Sequence, residues 1–86
     1  MPRISAFYGI VITMYSNDHL PPHFHARYGE YEAQVSVATG EVIAGVLPPR
    51  CARLAREWAS LHGDELVANW TLAQERRPLV SIDPLP

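Results

Sequence analysis

Lysine is absent from this chain, and cysteine occurs once, at Cys51. All seven basic residues are arginine. Without lysine there is no Schiff-base lysine chemistry and no phosphate loop of the lysine-containing kind. A lone cysteine excludes an internal disulfide framework and a cysteine-only metal cluster, and nothing points to an oxidising compartment. No apolar run approaches the ~18 residues of a spanning helix, so no membrane partner is expected. The opening stretch, M-P-R-I-S-A-F-Y-G, lacks the charged, apolar and small-residue order of a secretory leader. Cytoplasmic location is therefore the expectation. Net charge is −2 and the isoelectric point about 6.0, so no global basic field draws the chain to nucleic acid.

What is present suits one globular domain spanning residues 1–86, with 48% hydrophobic residues. A chain of this size buries only roughly 60% of its unfolded surface. Its stability margin is modest, which leaves room for a partner chain, either another protein or a second copy.

Strand patterns fill the first half and helix patterns the second. Ile10 to Tyr15 is rich in β-branched and apolar residues and reads as a buried strand. Arg3 to Phe7 forms an earlier short strand, with Gly9 as a bend or bulge. Ser16 to Pro22 is a loop of turn residues stiffened by two prolines. His23 to Tyr28 alternates, with Phe24, Ala26 and Tyr28 on one face and His23, His25 and Arg27 on the other. Tyr31 to Val37 alternates likewise, and Gly29-Glu30 between them suits a two-residue hairpin turn. The register follows: Tyr28 faces Tyr31, Arg27 faces Glu32, His25 faces Gln34, and His23 faces Ser36.

Thr39-Gly40 predicts a second tight turn, and Glu41 to Gly45 another strand. A helix is expected to start at Pro48-Pro49, with Cys51, Leu54, Trp58 and Leu61 on its apolar face and Gly63 as its stop. Arg53 and Glu57 are spaced to pair, and Arg50, Arg53 and Arg56 form a cationic edge that could meet an acidic partner or RNA phosphates. Asp64 is expected to cap a second helix, with Leu66, Val67, Trp70 and Ala73 inward, Arg76 and Arg77 at its carboxyl end, and Pro78 as the stop. Trp58 and Trp70 read as core, Cys51 as a buried thiol, and His62 as a helix-end residue. Leu79 to Ile82 can add a last short strand. The fold class is α+β: an antiparallel sheet of about four strands packed by two helices.

The chemistry concentrates in D-H-L-P-P-H-F-H-A-R-Y, residues 18–28. His23 and His25 are two apart on a strand, so their side chains emerge on one face about 6.5–7 Å apart. Two imidazoles so placed can converge on one divalent transition metal ion such as zinc. His19 or Asp18 could supply a third ligand, and Glu32 lies diagonal to His25 across the hairpin. The same residues support metal-free catalysis: His23 and His25 as general base and acid, Arg27 holding phosphate, and His19 orienting or ligating, as in RNA phosphodiester cleavage. A third reading is an ordinary solvated or partner-facing sheet surface, with Arg27 and Glu32 as a plain cross-strand pair.

Several segments carry a family resemblance: M-P-R-I-S-A-F-Y-G-I-V-I, D-H-L-P-P-H-F-H-A-R-Y-G-E-Y-E-A, G-E-V-I-A-G-V-L-P-P-R, E-W-A, E-L-V-A-N-W and I-D-P-L. Together they resemble a small prokaryotic family, domain of unknown function 4160, over nearly the whole chain. The His-Pro-Pro-His-Phe-His hallmark is met except that Leu20 stands where the family often has asparagine. The motif positions are Asp18, His19, Pro21, Pro22, His23, Phe24 and His25. The resemblance implies a two-gene module resembling toxin–antitoxin pairs, with this chain in the toxin-like role. Its partner would be a small antitoxin-like protein of the family called domain of unknown function 2442.

Overall fold

The structure is a computed structural model that describes residues 3–86. The reading of Met1 and Pro2 at the amino terminus lies outside the described residues. Five strands come first: β1 (Arg3–Phe7), β2 (Ile10–Thr13), β3 (His23–Tyr28), β4 (Tyr31–Ser36) and β5 (Val42–Gly45). Two helices follow, α1 (Pro49–Leu61) and α2 (Gly63–Gln74). The strands lie side by side in chain order, each antiparallel to the next, so β3 is central. The architecture is α+β, with one strand more than the rounded count of four.

The β3–β4 hairpin has the register that its alternation dictates. Tyr28 pairs with Tyr31, Arg27 with Glu32, His25 with Gln34, and His23 with Ser36. Phe24, Ala26, Ala33 and Val35 are all buried on one face. They join Ile10, Ile12 and Phe7 under α1, where Trp58 lies edge-on to Phe24 with ring centroids 5.4 Å apart.

The β1–β2 connection is a two-residue turn rather than a bulge at Gly9. Tyr8 and Gly9 both adopt the left-handed conformation, as the hairpin turn matching strand twist requires. The sheet's register shifts fall instead between Arg3 and Ser5 of β1 and between Gln34 and Val35 of β4. Gly45 is a position where only glycine fits. Its φ is +76°, and a Cβ there would collide with the Glu32 carbonyl oxygen of β4.

Proline at its first position starts α1, with Pro48 before it. Gly63 does not stop this helix. His62 ends α1 and also precedes α2, and Gly63 is the first residue of α2. Asp64 accordingly lies in the first turn of α2 with Glu65, where both carboxylates favour the helix dipole, and not at the cap. His62 Nδ1 meets the Glu65 carboxylate.

The helical faces are rotated slightly from the expected stripes. Leu61 and Val67 are exposed, while Ala55, Ala59 and Asn69 are buried. Cys51, Trp58 and Trp70 are core residues as expected. Arg53 makes no ion pair with Glu57 among the described residues; Arg56 instead approaches Glu41 at 3.5 Å.

Leu79 to Ile82 forms no strand. It is held by one backbone bond, from Ile82 N–H to the Ile4 carbonyl of β1, and by the Asn69 side chain. Asn69 donates to the Val80 carbonyl at 2.8 Å and accepts from the Val80 N–H at 2.9 Å. A primary amide imitates a strand edge in this way, presenting one donor and one acceptor side by side. The Trp58 indole N–H donates to the Asp83 carbonyl, and Ile82 and Leu85 enter the core.

Asn69 is 1% exposed, so its loss leaves buried polar groups without partners. Asn69→Ala is expected to lower unfolding stability by about 2 kcal/mol in urea titration. Amide exchange at Val80 and Ile82 should accelerate in the same variant.

Candidate metal centre

Strand β3 sets the spacing of the site. Its two-residue period turns His23 and His25 to the face opposite Phe24 and Ala26. His23 is 4% exposed, with the Trp70 ring 5.4 Å away, and His25 has Tyr15 edge-on at 4.8 Å. The two imidazole centroids are 5.3 Å apart, closer than their backbone spacing, so the rings lean together.

The loop before β3 supplies the carboxylate. Asp18 folds over the imidazoles rather than away from them. Its Oδ2 lies 2.9 Å from His25 Nε2 and 3.4 Å from His23 Nε2. The loop is fastened in three places. Val37 N–H donates to the Pro22 carbonyl, Gln74 Nε2 donates to the Asp18 carbonyl at 3.4 Å, and His23 Nδ1 donates to the Pro21 carbonyl at 2.8 Å. The Leu20–Pro21 peptide bond is cis.

These contacts fix the chemistry of His23. A carbonyl can only accept, so Nδ1 carries the proton. A neutral His23 then presents the bare lone pair of Nε2 to the Asp18 carboxylate, and that buried nitrogen has no hydrogen-bond partner. His25 has the complementary problem. When Nε2–H donates to Asp18, its buried Nδ1 is without a hydrogen-bond partner, and Glu32 Oε2 stands 3.4 Å from it. Burial makes each unmatched group costly.

One divalent cation would satisfy all four ring nitrogens together. Both Nε2 lone pairs and Asp18 Oδ2 would bind the ion, while both Nδ1–H groups would face oxygen, at Pro21 and at Glu32. Donors at about 2.0–2.1 Å from a tetrahedral ion stand about 3.3 Å apart. The observed 2.9 and 3.4 Å bracket that value, and the three donor atoms all lie within 4.8 Å of one another. Outward Nδ1–H groups bonded to a carbonyl or carboxylate are the usual support of metal-ligating histidines.

The other expected site residues stand apart. His19 is exposed and does not join Asp18, His23 and His25. Arg27 is exposed further along the polar face, where it lines a small depression together with Val11, Thr13, Tyr15, His25 and Glu32. Glu32 faces Arg27 in register, but its carboxylate approaches His25. Tyr15 and Trp70 border the imidazoles without having been marked for it. Their apolar patterning signalled only strand and core, and no spacing rule links them to the histidines.

The tautomer of His23 is directly measurable. In metal-free protein, long-range 1H–15N spectra are expected to show a protonated, slowly exchanging Nδ1 on His23. A protonated Nε2 with a bare Nδ1 would contradict the bond to Pro21.

No curated protein and no solved structure matches the chain. A family model does match, over residues 9–71, which is well over half of the chain. Its span includes the whole Asp18–His25 segment and both helices up to Thr71. The chain belongs to the family described as Domain of unknown function (DUF4160).

Proposed function

We propose that this protein binds one divalent transition metal ion, zinc fitting the donor set best, through Asp18, His23 and His25, and acts as a metal-dependent hydrolase. The observation that carries this reading is the paired imidazole geometry: both Nε2 atoms turn towards one carboxylate oxygen while both Nδ1 atoms face supporting oxygens. Two nitrogens and one carboxylate oxygen are a typical catalytic zinc set, which leaves a position for water. Such an ion acidifies a coordinated water and polarises an ester oxygen.

The chain's own residues supply the rest. His23, tied through Nδ1 to Pro21, fixes one ligand direction. Glu32 is 51% exposed at its side chain, so it can orient His25 and still exchange protons with solvent. Arg27 lies on the same open face and offers a guanidinium to an anionic substrate.

The metal-free nuclease reading receives less support. A general base needs a nitrogen that can reach substrate. Here both Nε2 atoms are turned to Asp18, and the His23 side chain is only 5% exposed. The toxin-like role in a two-gene module is compatible with a hydrolase, and the site residues would then carry the toxicity.

Zinc titrated into metal-free protein is expected to bind at about one ion per chain. Asp18→Ala, His23→Ala and His25→Ala should each abolish stoichiometric binding. Glu32→Gln should weaken it by about tenfold, the usual scale for a supporting carboxylate. Wild-type stoichiometry in the His23→Ala/His25→Ala double variant would overturn the assignment. For the toxin-like role, induced wild-type protein is expected to arrest growth where the double variant, at matched soluble level, does not.

A further inference from the structure

One cleft lies away from the polar face of the sheet. It has a volume of about 460 Å³ and lies between the loop that leads into Asp18 and the carboxyl end of α2. Tyr15, Ser16 and Asn17 form one wall, and Arg76 and Arg77 project from the other, over a floor that includes Leu79. Two arginines line it, and its described lining residues include no carboxylate. In a protein with net charge −2 this is a local concentration of positive charge.

The conformation of Arg76 is a second, independent observation. The end of α2 is a Schellman turn, in which Arg76 N–H donates to the Ala73 carbonyl and Arg77 N–H to the Leu72 carbonyl. The turn places Arg76 in the left-handed region, with φ of +57°. Glycine is the residue that takes this position without steric cost. An arginine held there, with no carboxylate partner among the described residues, points to a use for its guanidinium. Arg77 meets Glu75 at 3.3 Å, but both side chains are more than half exposed, so that pair is readily exchanged for a ligand.

The cleft also adjoins the metal centre. Asn17 immediately precedes Asp18 in the chain. Tyr15 lines the cleft and also packs edge-on against His25. Gln74, at the end of α2, donates to the Asp18 carbonyl.

We propose that this cleft binds the phosphate group of a phosphate ester, held by Arg76 and Arg77, with its organic group along Tyr15 and Leu79. Planar guanidinium groups match phosphate oxygens in forked pairs, and Ser16 and Asn17 offer further donors. That the cleft is the substrate side of the metal centre rests on the metal reading above; the phosphate binding itself does not.

The test uses phenyl phosphate as the probe, followed by amide 1H–15N shifts at constant ionic strength. Saturable shifts are expected at residues 15–17 and 73–79, in metal-free and zinc-loaded protein alike. Arg76→Gly is the decisive variant, because glycine relieves the left-handed strain and the fold is retained. It is expected to weaken phenyl phosphate at least about tenfold, the scale of a lost charged hydrogen bond, while zinc stoichiometry stays at the wild-type value. His23→Ala should lose zinc and keep the phosphate shifts. Unchanged affinity in Arg76→Gly, shifts confined to other residues, or equal binding of benzoate would overturn the proposal. Phosphate binding without any zinc binding in wild type would keep the phosphate site and overturn its link to a metal centre.

Discussion

The two-residue period of β3 is the constraint on which the rest of this molecule depends. Phe24 and Ala26 are sealed into the core, and Trp58 lies across Phe24. The intervening His23 and His25 are thereby committed to the other face. A slip of one residue would drive two imidazoles under α1 and expose the phenyl ring, at a cost of several kcal/mol on the scale of about 1.5–3 kcal/mol per buried large side chain. The spacing of the two imidazoles is thus enforced by hydrophobic burial on the opposite side of the sheet. A rigid central strand is a precise place to mount ligands.

The carboxylate has a different origin. Asp18 belongs to a loop, and loops position side chains less firmly than strands. This loop is tied to β3 through Pro21, to Val37 just past β4 through Pro22, and to α2 through the Asp18 carbonyl. It therefore behaves as a held arm over a fixed pair. The bond from His23 Nδ1 to Pro21 does two things: it anchors the arm, and it leaves Nε2 as the nitrogen turned to Asp18. Anchoring and tautomer selection cannot be separated here. That is why the unmatched nitrogen is informative, since a purely structural histidine would have its two ring nitrogens matched.

The hairpin was legible because three signals agreed: alternation on both strands, Gly29 at the turn, and opposite polarity on the two faces. The chemical segment was legible because three histidines crowd into it. Within that segment the roles were not. His19 and Asp18 are adjacent and both are ligand types, and only the path of the loop decides that Asp18 folds inward while His19 stays in solvent. Glu32 could be read as a partner for Arg27 or for His25, because the register makes both available. Asn69 was hidden by its type. A polar residue on a helix reads as solvated until the tail it clamps is in view. Gly63 misled for a related reason. Glycine marks helix ends, but here two helices abut at His62, so the residue that would close one opens the other.

Small size links the fold to the site. A domain of this length has only a modest core margin, and the last residues close one side of this core, through Ile82, Leu85 and the Trp58–Asp83 bond. Against that margin, a buried nitrogen facing a carboxylate is a substantial debit, of the order of 1–3 kcal/mol. A bound cation would convert it to a gain, because any ligand that binds only the folded state stabilises it, by about 2.7 kcal/mol at a hundred times its dissociation constant. The ion proposed for Asp18, His23 and His25 would then hold the loop on β3. Since Tyr15, Ser16 and Asn17 belong to the same connection, it would also hold one wall of the arginine cleft.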